Sequence, residues 1–297
     1  MGKVETKKVE DVLLQIPFGK FAVVTVSLPA LSLLYCFLTG IIFRFDEVNE
    51  TVCQASNVVP SISAVTGITP GAYVWRICIA LHSTPRFAVG FIYYNYFKAR
   101  LSYINPKYRW LYIKLLSLNF WMYTIENACL LSVAMVSNRE NYPIHEKIFV
   151  VFMIMSCCYM LSNTLIYKWS RTPIMSDIEK KSLRIKWISW TILMAATAGL
   201  LYTFVLHRIY CVPFAFSFFS AFEYVIAYAN MAYHVSAYYE FMNKSIMSGD
   251  IHQDTDVNGD LKSTEKIPAL GAPDDRGDRS PGRSLRPRKK MTGEKVQ

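Results

Sequence analysis

Charge is what this sequence has little of. Asp, Glu, Lys and Arg together make up 18% of the residues, where soluble domains carry about a quarter, and the shortfall points to a bilayer as the solvent. Gly-rich phosphate loops, Cys-x-x-Cys, His-Glu-x-x-His and Gly-x-Ser-x-Gly are all missing, which sets aside the nucleotide, zinc and serine-hydrolase chemistries that those spacings serve. Adjacent Cys157-Cys158 lies within an apolar block and is no metal signature, so no metal is expected. A net charge of +10 could suit nucleic acid. The basic residues instead flank apolar blocks and fill a polar tail, so no nucleic-acid partner is expected. No cleavable leader is expected: residues 1–20 mix Lys3, Lys7 and Lys8 with Glu5, Glu10 and Asp11, and the next apolar block is too long for a signal core. That block is expected to stay as an anchor.

What the chain has in abundance is apolar length. Hydrophobic residues reach 53% and aromatics 14%, arranged in blocks of about 20 residues, enough to cross the roughly 30 Å hydrocarbon core as helix. The blocks fall at about 21–43, 73–97, 111–136, 148–167, 187–206 and 214–239. The fold class is therefore an all-α polytopic transmembrane helical bundle of six spans. Three divisions follow: a cytosolic N-terminal segment (1–20), a six-span transmembrane domain (21–240) and a disordered basic cytosolic tail (241–297). The tail beyond about Ser248 is rich in Asp, Gly, Pro, Ser, Lys and Arg and has no aromatics, a composition that cannot bury a core. Its basic run at 283–290 either touches anionic lipid or is simply solvated.

Orientation follows from Lys and Arg in the connections. Residues 1–20 hold four, 98–109 hold four and 168–186 hold six, while the alternate connections hold only Arg44, Arg139 with Lys147 at the border, and Arg208. Both termini are thus expected in the cytosol. Asn49-Glu50-Thr51 is a glycosylation acceptor sequence on the lumenal side, close to the membrane. Cys53 and Cys211 fall in two lumenal connections, an oxidising setting, and are a candidate disulfide. Trp75, Trp110 and Trp187 stand near span ends, as an interfacial belt requires.

Charged groups at bilayer depth are costly, and they usually face the bundle interior in a functional role. In the second span His82 and Arg86 are four apart and share a face, with Pro85 between them as a potential kink. Arg76 lies nearer the lumenal end. The third span holds Glu126-Asn127; the sixth aligns Glu223, Asn230 and His234. Counting from the lumenal ends, His82, Glu126 and Glu223 each lie about ten residues in, roughly 15 Å, and Arg86 one turn deeper. That band reads either as an ion-pair network fixing helix packing or as a site for a polar or amphipathic ligand. His234 falls near the cytosolic end, as an interfacial or a substrate-binding residue. His145-Glu146 opens the fourth span, where a capping role competes with a part in the site.

Several of these segments carry a family resemblance. Residues 73–87, Tyr-Val-Trp-Arg-Ile-Cys-Ile-Ala-Leu-His-Ser-Thr-Pro-Arg-Phe, resemble the second-span motif of the post-GPI-attachment-to-proteins factor 2 family, a six-span DRAM-like group. Val58-Val59-Pro60-Ser61-Ile62-Ser63, Glu126-Asn127, Ile144-His145-Glu146, Arg208-Ile209-Tyr210-Cys211 and Glu223-Tyr224 with Asn230-Met231-Ala232-Tyr233-His234 follow in the same order. The resemblance covers about residues 15–245 and leaves out the polar tail.

It implies GPI-anchor lipid remodelling: reacylation of lyso-GPI-anchored proteins in the Golgi membrane, with the endoplasmic reticulum membrane as the alternative. Partners would be GPI-anchored proteins, lyso-GPI and membrane lipids, together with any partner membrane protein. No cofactor is implied beyond an acyl donor such as acyl-CoA or phospholipid. Whether the chain is the acyltransferase, or a lipid-binding accessory protein presenting lyso-GPI to a separate transferase, stays open. As a transferase, His82 would be general base and Arg86 would bind phosphate or oxyanion, with Glu126 and Glu223 orienting them. Arg76, Asn127, His145, Glu146, Asn230 and His234 would bind substrate.

Overall fold

The computed structural model describes residues 12–171 and 175–249. A strand β1 (Val12–Pro17) leads directly into α1 (Phe18–Phe43). Two short helices, α2 (Phe45–Asn49) and α3 (Ile62–Thr66), precede five long ones: α4 (Gly71–Lys98), α5 (Arg109–Met135), α6 (Asn138–Trp169), α7 (Asp177–Tyr210) and α8 (Ala215–Val235). A last turn α9 (Ala237–Glu240) and strand β2 (Ser245–Gly249) complete the described chain.

Each apolar block falls on one long helix. Of the six, α1, α6 and α7 are long and apolar enough to cross a membrane by length and composition. The other three, α4, α5 and α8, carry His82, Arg86, Glu126, Glu223 and His234. Local sequence sets several ends. Ser137 with Glu140 and Ser176 with Glu179 form capping boxes at α6 and α7, each pairing two otherwise orphaned backbone donors. The α6 backbone breaks at Asn141, whose side chain caps Ile144, so the straight part of the helix begins just before His145. Pro85 does not end α4, which continues to Lys98.

The six long helices form a closed ring. Each packs against the next in chain order, and α8 returns to α1. The α7–α8 contact is close because Gly199 lies under the Phe222 ring, where a Cβ would come within 2.5 Å of a ring carbon. Polarity is inverted relative to a soluble protein: Arg86, Glu126, Asn127 and Asn163 are buried, while Leu31, Ile77, Leu81, Trp121, Leu201 and Phe218 are exposed. An apolar exterior of this kind suits lipid.

The ring has two ends. At one, residues 44–70 fold into a cap containing α2 and α3. Cys53 and Cys211 are joined by a disulfide with a Cα separation of 5.5 Å, Phe214 N–H donates to Ser56 O at 2.9 Å, and Val58 N–H donates to Ser217 Oγ at 2.9 Å. These links fasten the cap to the α7–α8 turn. At the opposite end, β1 and β2 pair antiparallel. Phe241 packs against Phe18, Tyr93 and Tyr96, so residues 241–249, grouped with the polar tail on composition, belong to the bundle here. Residues 1–11 and everything beyond Gly249, including the basic run at 283–290, lie outside the described residues.

Asn49 is not placed to carry a glycan in this folded state. Its amide is buried, donating through Nδ2 to Phe45 O and accepting from Asn57 through Oδ1. The acceptor sequence gives no sign of this because Asn57 arrives from eight residues away.

Candidate functional site

The centre of the ring is occupied by one guanidinium. Arg86 on α4 donates through Nη2 to Glu126 Oε2 on α5 at 2.9 Å and to His234 Nε2 on α8 at 2.8 Å. Its Nη1 reaches His82 Nε2 at 3.2 Å, and its Nε lies 3.4 Å from the Tyr123 hydroxyl. Glu126 also accepts from Asn230 at 3.1 Å, and Asn230 in turn donates to Ser156 on α6 at 2.7 Å. His234 stacks on Tyr159 with an interplanar angle of 10°. Four helices thus meet through side chains at one charge, which is how a bundle without a hydrophobic driving force in lipid can specify its packing.

Hydrogen-bond chemistry fixes the tautomer of His82. The Thr25 carbonyl, 2.7 Å from Nδ1, can only accept, so Nδ1 carries the proton. Arg86 can only donate, so its contact occupies the Nε2 lone pair. His82 is 3% exposed and has no basic nitrogen left, which removes it from the general-base role assigned on sequence.

Between this cluster and the cap lies a cavity of about 90 Å³, several times the ~10–15 Å³ that one water needs. Its walls are apolar, with Pro29, Ile79, Leu130, Phe149 and Ile226 among them. Polar groups gather at its two ends. His82 and Asn230 stand where it approaches the Arg86 cluster, and Ser63 and Thr66 of α3, Glu223 and His145 stand toward the cap.

Glu223 does not orient Arg86. Its Oε2 accepts the Ile62 N–H at 2.8 Å, holding α3 in place. His145 Nδ1 donates to Val136 O at 2.7 Å, just past the end of α5, and the half-buried ring borders the cavity. Asn127 ties α5 to α4 through the Ser83 carbonyl at 2.8 Å and does not line the cavity. Arg76 bonds Glu140 at 2.7 Å outside the cavity, and that contact, with the Ser137 backbone, pulls the Glu140 carboxyl down to about 2. Glu146 is exposed, one residue past His145 on the helix. Among the described residues no group of three or more His, Cys, Asp or Glu is placed to hold a metal ion.

A second buried charge pair stands toward the β1–β2 end. Lys186 Nζ lies 3.0 Å from Glu240 Oε1, both side chains essentially unexposed. Ser182 Oγ donates to the same oxygen at 2.8 Å, and the Tyr93, Tyr167 and Tyr233 rings surround the ammonium. Counting charges per connection placed Lys186 among solvated loop residues. The sequence signal was Glu240 inside an aromatic run, Tyr238-Tyr239-Glu240-Phe241, where a lone carboxylate needs a partner.

The described helices and both clusters fall within residues that match a known family. The Frag1/DRAM/Sfk1/Cwh43P N-terminal domain family matches residues 17–244. The chain is 42% identical over 77% of its length to a Drosophila melanogaster protein named post-GPI attachment to proteins factor 2-like, covering 71% of that protein. The chain belongs to the post-GPI attachment to proteins factor 2 family. It is also 35% identical over 79% of its length to the Xenopus tropicalis protein named acyltransferase PGAP2, covering 92% of that protein. A Caenorhabditis elegans post-GPI attachment to proteins factor 2 is 30% identical, with 80% of this chain and 90% of that one covered. No solved structure matches the chain. The family match begins within β1 and ends just before β2, so the ring, the cap and the cavity are all inside it.

Proposed function

We propose that the chain is a six-span Golgi membrane protein, both termini cytosolic, that returns an acyl chain to lyso-GPI on GPI-anchored proteins. The observation that carries this reading is the cavity: apolar walls suit an acyl chain, and polar groups toward the cap suit a glycerol or its ester. The names of the relatives, one of them an acyltransferase, support the same chemistry. The Lys/Arg bias supports the orientation, as does a disulfide at the cap end, where an oxidising lumen would keep it. Lyso-GPI with its attached protein then enters from the lumenal leaflet. The acyl donor is acyl-CoA or a phospholipid, and the endoplasmic reticulum membrane is the alternative location.

A second reading makes the chain a lipid-binding accessory that presents lyso-GPI to a separate transferase. It is favoured by the number of polar atoms near the cavity already engaged with the protein, the two His82 nitrogens and the Asn230 amide among them. The purified protein in lipid nanodiscs, given a lyso-GPI-anchored protein and either stearoyl-CoA or phosphatidylcholine, separates the two. Transfer of a chain by this protein alone supports the enzyme; tight binding without transfer supports the accessory. Neither binding nor transfer sinks both.

A further inference from the structure

We infer that His145 is the residue that takes the proton from the accepting hydroxyl of a lyso-lipid; this rests on the acyl-transfer reading above. Four observations converge on it. The Val136 carbonyl at 2.7 Å fixes the proton on Nδ1, because a carbonyl can only accept, so the neutral ring keeps its lone pair on Nε2. A backbone carbonyl holding the far side of an imidazole is also how a base is oriented elsewhere in protein chemistry. No hydrogen bond within the described residues engages Nε2. The ring is half-buried and borders the cavity.

Depth separates His145 from His82 and His234, while His207, at the same end, is only 4% exposed and does not border the cavity. A lyso-lipid's free hydroxyl sits on its glycerol, at the boundary between headgroups and hydrocarbon, while its remaining chain runs toward the membrane centre. His145 is tied to the first residue beyond α5, which is that boundary. His82 lies eleven residues into α4, roughly 16 Å from the start of that helix, beside the Arg86 cluster. His234 is deeper still in function: its Nε2 is bound to Arg86. A lipid placed with its glycerol at His145 would lay its chain along Phe149, Leu130 and Ile79 toward His82 and Asn230.

The step balances without any further reactant than the donor. Nε2 of His145 accepts the hydroxyl proton as that oxygen bonds the carbonyl carbon of a thioester or phospholipid ester. The carbonyl carbon's bond to sulfur or oxygen breaks with the electron pair leaving on that atom. The leaving group takes the proton from the imidazolium, and His145 returns neutral. Glu223 faces the same cavity and keeps α3 in place over it, a positioning role.

His145→Asn isolates the proposal, since its amide Nδ2 can replace Nδ1 as donor to Val136 while the base is lost. In nanodiscs with lyso-phosphatidylinositol as acceptor, stearoyl-CoA in one arm and distearoyl phosphatidylcholine in the other identify the donor. The variant should bind lyso-phosphatidylinositol as the wild type does and lose turnover by about 100-fold or more, the usual share of a general base. Turnover within about threefold of wild type would overturn the assignment, because a general base contributes more than that. If the variant does not fold, diethyl pyrocarbonate on the wild type serves instead: His145 should be modified before His82 and His234, with lyso-phosphatidylinositol protecting both the ring and activity. Full activity with His145 carbethoxylated would overturn it. A wild-type protein that moves no acyl chain from either donor fails the acyl-transfer reading itself, a result distinct from an active protein indifferent to His145.

Discussion

Arg86 and Glu126 meet at 2.9 Å with 6% and 0% of their side chains exposed, and neither could stay charged there alone. Removing one partner of such a pair leaves an uncompensated buried charge, at a cost of about 3–5 kcal/mol. Glu126→Ala should therefore lower the unfolding temperature of the detergent-solubilised protein sharply. Arg86→Met with Glu126→Leu should recover part of the loss. A Glu126→Ala protein as stable as wild type would show that the pair does not hold the ring.

Lys186 and Glu240 should respond unequally. Lys186→Met leaves the Glu240 carboxylate with only the Ser182 hydroxyl, and is expected to cost about 3–5 kcal/mol. Glu240→Gln leaves the ammonium among three tyrosine faces, the nearest centroid at 4.4 Å. Such faces recover on the order of 2 kcal/mol when desolvated, so this variant should be the milder. Thermal unfolding of both measures the asymmetry; equal losses would rule out the aromatic contribution.

Cys53 and Cys211 should resist maleimide until the protein is reduced. Cys53→Ser should destabilise by about 2–4 kcal/mol, the usual range for a lost crosslink, and loosen the cap more than the rest. Hydrogen exchange at residues 50–66 reads that local effect. Ready maleimide labelling of either cysteine in unreduced protein would contradict the pairing.

Arg76 and Glu140 lie outside the cavity, so Arg76→Ala should leave lipid binding and turnover unchanged. Their contact should fade in acid. The Glu140 carboxyl titrates near 2 rather than at its ordinary 4.5, so its contribution is whole above the ordinary value and disappears as pH falls toward 2. Unfolding temperatures of wild type and Glu140→Gln, compared along that descent, should converge. A gap that persists at the acid end would contradict the assignment. Both side chains are partly in solvent, and salt should shrink the gap at neutral pH.

The apolar blocks were legible because length and hydropathy alone decide them, and each lies on one long helix. Arg86 with Glu126 was legible from depth and charge. Glu223 and His234 were not, because counting from span ends assumes that the ends are level. Glu223 stands eight residues into α8 yet binds the first residue of α3. The start of α8 therefore projects about two turns past α3, to where Phe214 meets Ser56. Correcting by two turns brings His234 level with Arg86 and takes Glu223 up to the cap. The role of His82 failed for a different reason. Thr25 comes from α1, and no spacing within α4 reveals a carbonyl on another helix.

The pairing of β1 with β2 has a consequence for how the chain is made. The strand that emerges first from the ribosome finds its partner only in residues 245–249, after every long helix has been synthesised. The α1–α8 seam has the same delay. Until then Arg86 can meet Glu126 but not His234, so an unfinished chain carries an incompletely coordinated cation in the membrane. A nascent chain stopped before α8 is in that state an open arc, with Arg86 short of one of its partners.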